Sequence, residues 1–128
     1  MTAIASAAVT GIGNLILAVT DMPRALAFYR DALALPVRFA SAEFAFLQAG
    51  AVTLCLRHVA SPPPAVQRED VEIVFDVADI HAAYETLKAR GVVFRVEPRV
   101  VTGDLLATDF RDPDGHLLSI FGRAAKEE

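Results

Sequence analysis

Aliphatic residues gather in two segments of the same design. Asn14-Leu-Ile-Leu-Ala-Val-Thr20 is a short aliphatic run that stops at Asp21, the pattern of a strand buried on one or both faces. In the following Met22-Pro-Arg-Ala-Leu-Ala-Phe-Tyr-Arg-Asp-Ala-Leu33, the residues Met22, Leu26, Tyr29 and Leu33 recur at helical spacing and make one apolar stripe. Asp21 predicts the N-cap, because its carboxylate can accept from the unpaired amides of the first turn. Pro23 is tolerated there because the N–H it lacks had no helical partner. Leu35-Pro36 is expected to end the helix.

The grammar then repeats. Glu72-Ile-Val-Phe-Asp-Val-Ala78 predicts a strand, Asp79 its cap, and Ile80 to Arg90 a helix with Ile80, Ala83, Tyr84 and Leu87 as its stripe. Gly91 offers a stop, since glycine enters the left-handed conformation at little cost. The caps Asp21 and Asp79 stand 58 positions apart, and at that offset Val19 meets Val77 and Ala25 meets Ala83. Extended segments are expected over Val37–Ala40, Glu43–Gln48 and Val52–Arg57, then over Val92–Glu97, Leu105–Phe110 and Leu117–Phe121. Asp112-Pro-Asp-Gly115 reads as a hairpin turn, with Asp112 and Asp114 as turn formers. The chain is thus expected to be one domain over residues 1–128. It divides into a first βαβββ module (11–60), a Pro-rich linker (61–70), a second module (71–122) and a short tail (123–128).

Composition narrows the class. Of 128 residues, 54% are apolar and 22% charged, which excludes a mainly disordered chain. A formal charge of −4 argues against nucleic acid or an anionic membrane as partner. The uncharged first twenty residues are interrupted by Thr2, Ser6, Thr10, Gly11, Gly13 and Asn14, and no basic residue leads them, so neither a spanning helix nor a signal peptide is expected. Cys55 is the single cysteine, which removes an intrachain disulfide and any multi-cysteine zinc site, and a cytoplasmic protein is expected.

Leu17-Ala-Val-Thr-Asp-Met22 with Ala27-Phe-Tyr-Arg-Asp-Ala-Leu33, then Phe75-Asp-Val-Ala-Asp-Ile80 with Leu87-Lys-Ala-Arg-Gly-Val92, and finally Asp112-Pro-Asp-Gly-His-Leu-Leu-Ser-Ile120, resemble the vicinal-oxygen-chelate superfamily. That group includes glyoxalase I, extradiol dioxygenases and the fosfomycin- and bleomycin-resistance proteins. The resemblance spans Gly13 to Gly122. It implies an α+β fold in which two βαβββ modules form a curved mixed sheet around a concave pocket, commonly in a homodimer. It also implies four metal-ligand positions, in the first and last strands of each module. Here these fall on Asn14 and Glu72, seven residues before each cap, and on Cys55 and Ser119. A borderline divalent ion wants about three charged or imidazole ligands, and only Glu72 supplies one well. No cofactor is therefore expected; the alternative is a divalent ion such as zinc, nickel, manganese or iron.

Strand alternation assigns the faces. Leu15, Leu17, Val19, Ile73, Phe75 and Val77 should pack beneath the helices. Asn14, Ile16, Thr53, Cys55 and Arg57 should look into the concavity, as should Glu72, Asp76, Ser119 and Phe121, with Phe39, Phe44 and Phe46 as aromatic walls. His58 and His116 have the wrong parity to join them, and His81 lies in a helix. Glu72 and Asp76 are either ligand-binding carboxylates or a solvated rim paired with Arg57; Arg57 is either that partner or a clamp for a ligand carboxylate. Cys55 and Ser119 lack a neighbouring base and read as a structural thiol and a ligand-bonding or packing hydroxyl. Tyr29 and Tyr84 are expected in the core.

The leading functional expectation is a metal-free protein that holds a partly apolar small molecule, similar to the bleomycin-resistance type, with antibiotic sequestration as one use. The alternatives are a metal-dependent lyase, isomerase or dioxygenase of the same superfamily, and a purely structural dimerisation module.

Overall fold

The computed structural model describes residues 11–61 and 71–125, so the predicted tail over residues 1–10, the linker beyond Ser61 and residues 126–128 lie outside the description. The first sheet contains β1 (Asn14–Val19), β2 (Val37–Ala40), β3 (Phe44–Ala49) and β4 (Val52–His58) in the order β1-β4-β3-β2. The second contains β5 (Ile73–Asp76), β6 (Arg99–Thr102), β7 (Leu105–Arg111) and β8 (Leu117–Arg123) in the order β5-β8-β7-β6. In both, the opening strand runs parallel to the closing one and the other pairings are antiparallel. Ile16 lies opposite Cys55, and Val74 opposite Ser119. The fold is the expected α+β architecture of two βαβββ modules.

Helix α1 (Met22–Leu26) and helix α2 (Ile80–Ala89) follow the opening strands. Their caps form as expected: the Asp21 carboxylate accepts from the amide of Arg24, and that of Asp79 from the amides of His81 and Ala82. Val19, Met22, Ala25 and Tyr29 from one side and Ile80 and Leu87 from the other join Leu47, Leu54, Leu56, Leu118 and Ile120 in a single buried core. The Val, Leu, Ile and Met side chains among them each contribute about 1.5–3 kcal/mol through removal from water.

The expected regular helix over Met22–Leu33 is not what forms. Beyond Leu26 the chain continues as a π-helix over Ala27–Ala32. The left-handed residue after the helix is Ala34 (φ 63°) in the first module and Gly91 (φ 96°) in the second, so the first module carries one residue more between cap and stop. The Leu35 amide bonds the Tyr29 carbonyl where the Val92 amide bonds that of Leu87, its repeat counterpart. A π turn absorbs one extra residue, and both helix ends keep their partners.

A second correction concerns Val92–Glu97, expected as a strand. Only Phe94 bridges, to Phe110, and the ladder strand is Arg99–Thr102. Phe94 is held by Tyr84 and Phe110, with ring centroids at 4.7 and 5.1 Å, and Val93 is exposed. Pro98 has no amide to donate, so regular pairing starts only after it.

The loop between β7 and β8 does more than turn the chain. Buried Asp112 accepts from the hydroxyl of buried Tyr29 at 2.5 Å, and its other oxygen accepts from the amides of Asp114 and His116. Asp114 accepts from the amide and hydroxyl of Thr20 at 3.1 and 2.8 Å, and His116 Nε2 lies 2.9 Å from the Ala18 carbonyl. The second module's hairpin is thereby docked on the strand–helix junction of the first. The two aspartates expected only as turn formers, and the tyrosine expected only as packing, form the polar joint between modules. No helix among the described residues is long and apolar enough to cross a membrane.

Candidate functional site

The alternation predicted for the strands is seen in β1, β3 and β5, whereas the central strands β4 and β8 bury Leu54-Cys55-Leu56 and Leu118-Ser119-Ile120 without alternating. Asn14 and Ile16 are exposed, whereas Leu15 and Leu17 pack on the core and Val19 is fully buried. In β3 the same rule buries Ala45 and Leu47 and exposes Phe44 and Phe46. Phe46 stands opposite Cys55 and Phe44 opposite Arg57 across the β3–β4 ladder. Phe39 extends the row, 5.7 Å from Phe46, and the Phe44 and Phe46 rings stack at 6.4 Å. Three phenyl rings and Ile16 thus share one face, with 37–56% of each accessible to solvent.

A cavity of about 420 Å³ opens on that face, walled by Asn14, Ile16, Phe44, Phe46, Thr53 and Cys55. Its volume lies in the range typical of small-molecule sites, about 300–1,000 Å³, and its composition is theirs too, apolar with a few polar groups. Cys55 is buried, and burial raises its thiol pKa; the nearby Arg57 charge offsets part of the rise. The thiol is therefore protonated at neutral pH. Arg57 is exposed at the end of β4 and forms no ion pair among the described residues. The structural pairing of Arg57 with Glu72 or Asp76, one of the two readings of the sequence, does not form.

The equivalent face of the second module is chemically different. Asp109 stands opposite Ser119 and takes a two-pronged hydrogen bond from Arg95 at 2.8 and 2.7 Å. That bond, with the charges of Arg95, Arg99 and Arg111, holds the Asp109 carboxyl below the usual carboxylate range against the opposing effect of burial. The sequence reading missed this group. The available signal was an acid at the face-determining parity of β7, two positions from an arginine.

The remaining candidates scatter. Glu72 precedes β5 and is exposed; Ser119 is 3% exposed and Phe121 half-buried. Asp76 is exposed and borders two other hollows, one of about 360 Å³ between the modules, the other of about 400 Å³ beside α2. Asn14 and Cys55 are brought to one cavity, but Glu72, Ser119, Asp76, Arg57 and Phe121 are not among its walls.

The four positions that would hold a metal offer a neutral amide, a thiol with a raised pKa, one solvated carboxylate and a hydroxyl. Such a set holds a divalent ion poorly, because three donors are neutral at pH 7 and the thiol must first lose its proton. Among the described residues no three His, Cys, Asp or Glu side chains gather to form another such site. The donor chemistry does not fit a catalytic ion.

Comparison with known proteins gives a family match. The model of the Glyoxalase/Bleomycin resistance protein/Dioxygenase superfamily matches residues 11–120. No curated protein matches the chain. Among solved structures, a glyoxalase/bleomycin resistance protein/dioxygenase from Nocardioides is 20% identical, with a TM-score of 0.75 over 99% of this chain and 92% of that one. An integron cassette protein from the mobile metagenome of V. cholerae is 22% identical, with a TM-score of 0.72 over 90% and 96% of the two chains. A lactoylglutathione lyase from Agrobacterium tumefaciens is 17% identical, with a TM-score of 0.71 over 89% and 94%. At these identities the likeness is one of fold.

Proposed function

The chain belongs to the Glyoxalase/Bleomycin resistance protein/Dioxygenase superfamily, and within it we propose a small-molecule-binding protein that works without a catalytic metal. The observation that carries this reading is the cavity of the first module. Its walls are Ile16, Phe44, Phe46 and the buried Cys55, with Asn14 and Thr53 as the polar groups, and none of the six is ionised at neutral pH. Such walls favour burial of an apolar ligand surface, with the amide and hydroxyl fixing its orientation. The donor set is poorly suited to polarising a substrate through an ion; among the described residues Cys55 has no base beside it, and the carboxylate opposite Ser119, Asp109, is engaged by Arg95. The protein acts by holding its ligand, as a homodimer in the cytoplasm.

Two measurements test this. Elemental analysis of protein purified without chelator is expected to give well under one equivalent of zinc, nickel, manganese or iron per chain. A thermal-shift screen of apolar small molecules is expected to return stabilising compounds whose effect is reduced in Phe46→Ala. Stoichiometric metal that Glu72→Ala removes would establish the metal-dependent alternative. A screen without any stabilising compound would favour a structural module.

A further inference from the structure

The cavity of the first module has a cation at its edge that nothing neutralises among the described residues. Arg57 follows Cys55 by two positions on β4, so both side chains leave the same face about 7 Å apart along the strand. Its cross-strand partner is Phe44, a wall of the cavity, and Phe44 stacks on Phe46. Arg57 is not itself a wall, but its two neighbours on that face, Phe44 across the ladder and Cys55 two positions earlier on β4, both are. The neighbouring basic side chain of β2 differs in this respect: Arg38 donates to Gln48 at 2.7 Å. The carboxylate nearest the equivalent face of the second module, Asp109, is already engaged by Arg95.

We infer that the ligand of this site is a planar aromatic monocarboxylate, its ring laid on Phe44 and Phe46 and its carboxylate held by Arg57. The inference rests on the reading of the cavity as a ligand site and names the chemistry of its occupant. A guanidinium presents two parallel N–H donors that match one carboxylate. Flat rings suit the offset stacking that two exposed phenyl faces offer. Asn14 and Thr53 can serve polar substituents on the ring. A saturated acid would satisfy Arg57 and leave the rings without a partner, and a neutral arene would do the reverse.

The test uses three probes on the full-length protein: 2-naphthoate, 2-naphthamide and cyclohexanecarboxylate, titrated calorimetrically at pH 7. Binding of 2-naphthoate at least tenfold tighter than either other probe is expected. Arg57→Gln should abolish the preference for the acid over the amide and leave 2-naphthamide affinity unchanged, while Arg57→Lys should retain part of it. Phe46→Ala should weaken both naphthalene probes by fivefold or more. Equal binding of 2-naphthoate and 2-naphthamide, or equal losses for both in Arg57→Gln, overturns the acid assignment and leaves the ligand-site reading standing. If none of the probes binds, the aromatic-acid assignment falls, while the ligand-site reading stands or falls with the thermal-shift screen. If Phe46→Ala dissociates a dimer and changes no probe affinity, the aromatic face belongs to a second copy of the chain and the inference is wrong.

Discussion

The two modules share strand order, register and the caps that start their helices, yet they line their equivalent faces with opposite chemistry. Superposing the ladders through Ile16–Cys55 and Val74–Ser119 sets Phe46 against Asp109, Phe44 against Ala107 and Arg57 against Phe121. The helix-side positions behave differently. Leu15, Leu17 and Val19 face Ile73, Phe75 and Val77, and Leu54 and Leu56 face Leu118 and Ile120, apolar against apolar throughout. Positions that must leave water for the fold to exist keep their type, whereas positions that face outward are free to take up different tasks. The aromatic face is the one that carries the proposed ligand site. The charged face is satisfied by its own Arg95–Asp109 pair.

The comparison breaks hardest at Gly122, whose counterpart in the first sheet is His58. A Cβ on Gly122 would overlap the Val77 carbonyl, so Gly122→Ala should cost about 3 kcal/mol in urea unfolding, because backbone cannot step aside as a flexible side chain can.

Tyr29 and Leu87 are repeat counterparts, and giving the first module the second's residue tests the polar joint. Tyr29→Leu leaves a buried Asp112 oxygen without its donor and should cost ~2 kcal/mol; Tyr29→Phe isolates the hydroxyl's share. Burial, then the charge of Asp112, pushes the Tyr29 phenol well above its ordinary value. The unfolded chain releases that proton near pH 10 and the folded one does not. Stability from the neutral phenol is therefore complete below about pH 10 and declines as pH rises above it. Tyr29→Phe should flatten this part of the alkaline unfolding curve.

The helix stops sharpen the same comparison. Ala34 holds a left-handed conformation that Gly91 takes at little cost, so Ala34→Gly should raise the denaturation midpoint by ~0.5–1 kcal/mol equivalent, and Gly91→Ala should lower it by a similar amount.

The smallest effect is expected at Arg95, which is itself largely exposed. Arg95→Ala should cost about 0.5 kcal/mol at pH 7. The Asp109 carboxyl titrates below its unfolded value, so this contribution is present above about pH 4 and disappears as pH falls through the folded-state value. Wild type and variant should differ at neutrality and draw together as acid unfolding is followed below the ordinary carboxylate range.

Much of the architecture was legible because it depends on local pattern. Asp21 and Asp79 announced their helices through cap chemistry, the aliphatic runs announced the strands, and period-two alternation placed Phe44, Phe46, Ile16 and Cys55 on a common face. The metal-equivalent positions Asn14, Cys55, Glu72 and Ser119 came instead from the family resemblance, and local pattern supplied only their side-chain types. The misses depend on contacts distant in sequence. A one-residue insertion in the first helix is visible only when its hydrogen bonds are matched with those of the second. The strand expected over Val92–Glu97 gives way to a single Phe94–Phe110 bridge, Phe94 being held by Tyr84 and Phe110, and Pro98, which is legible in the sequence, delays the ladder to Arg99.

By itself the sequence determined two capped βαβββ units and the apolar set that forms their shared core. These follow from side-chain type and periodicity, which act over a few residues. Tertiary structure alone decided that Asp112 and Asp114 fasten one module to the other, that Asp109 is taken by Arg95, and that Arg57 has no ion pair among the described residues. Pairing depends on which groups packing brings within about 3 Å, and no local spacing encodes that distance.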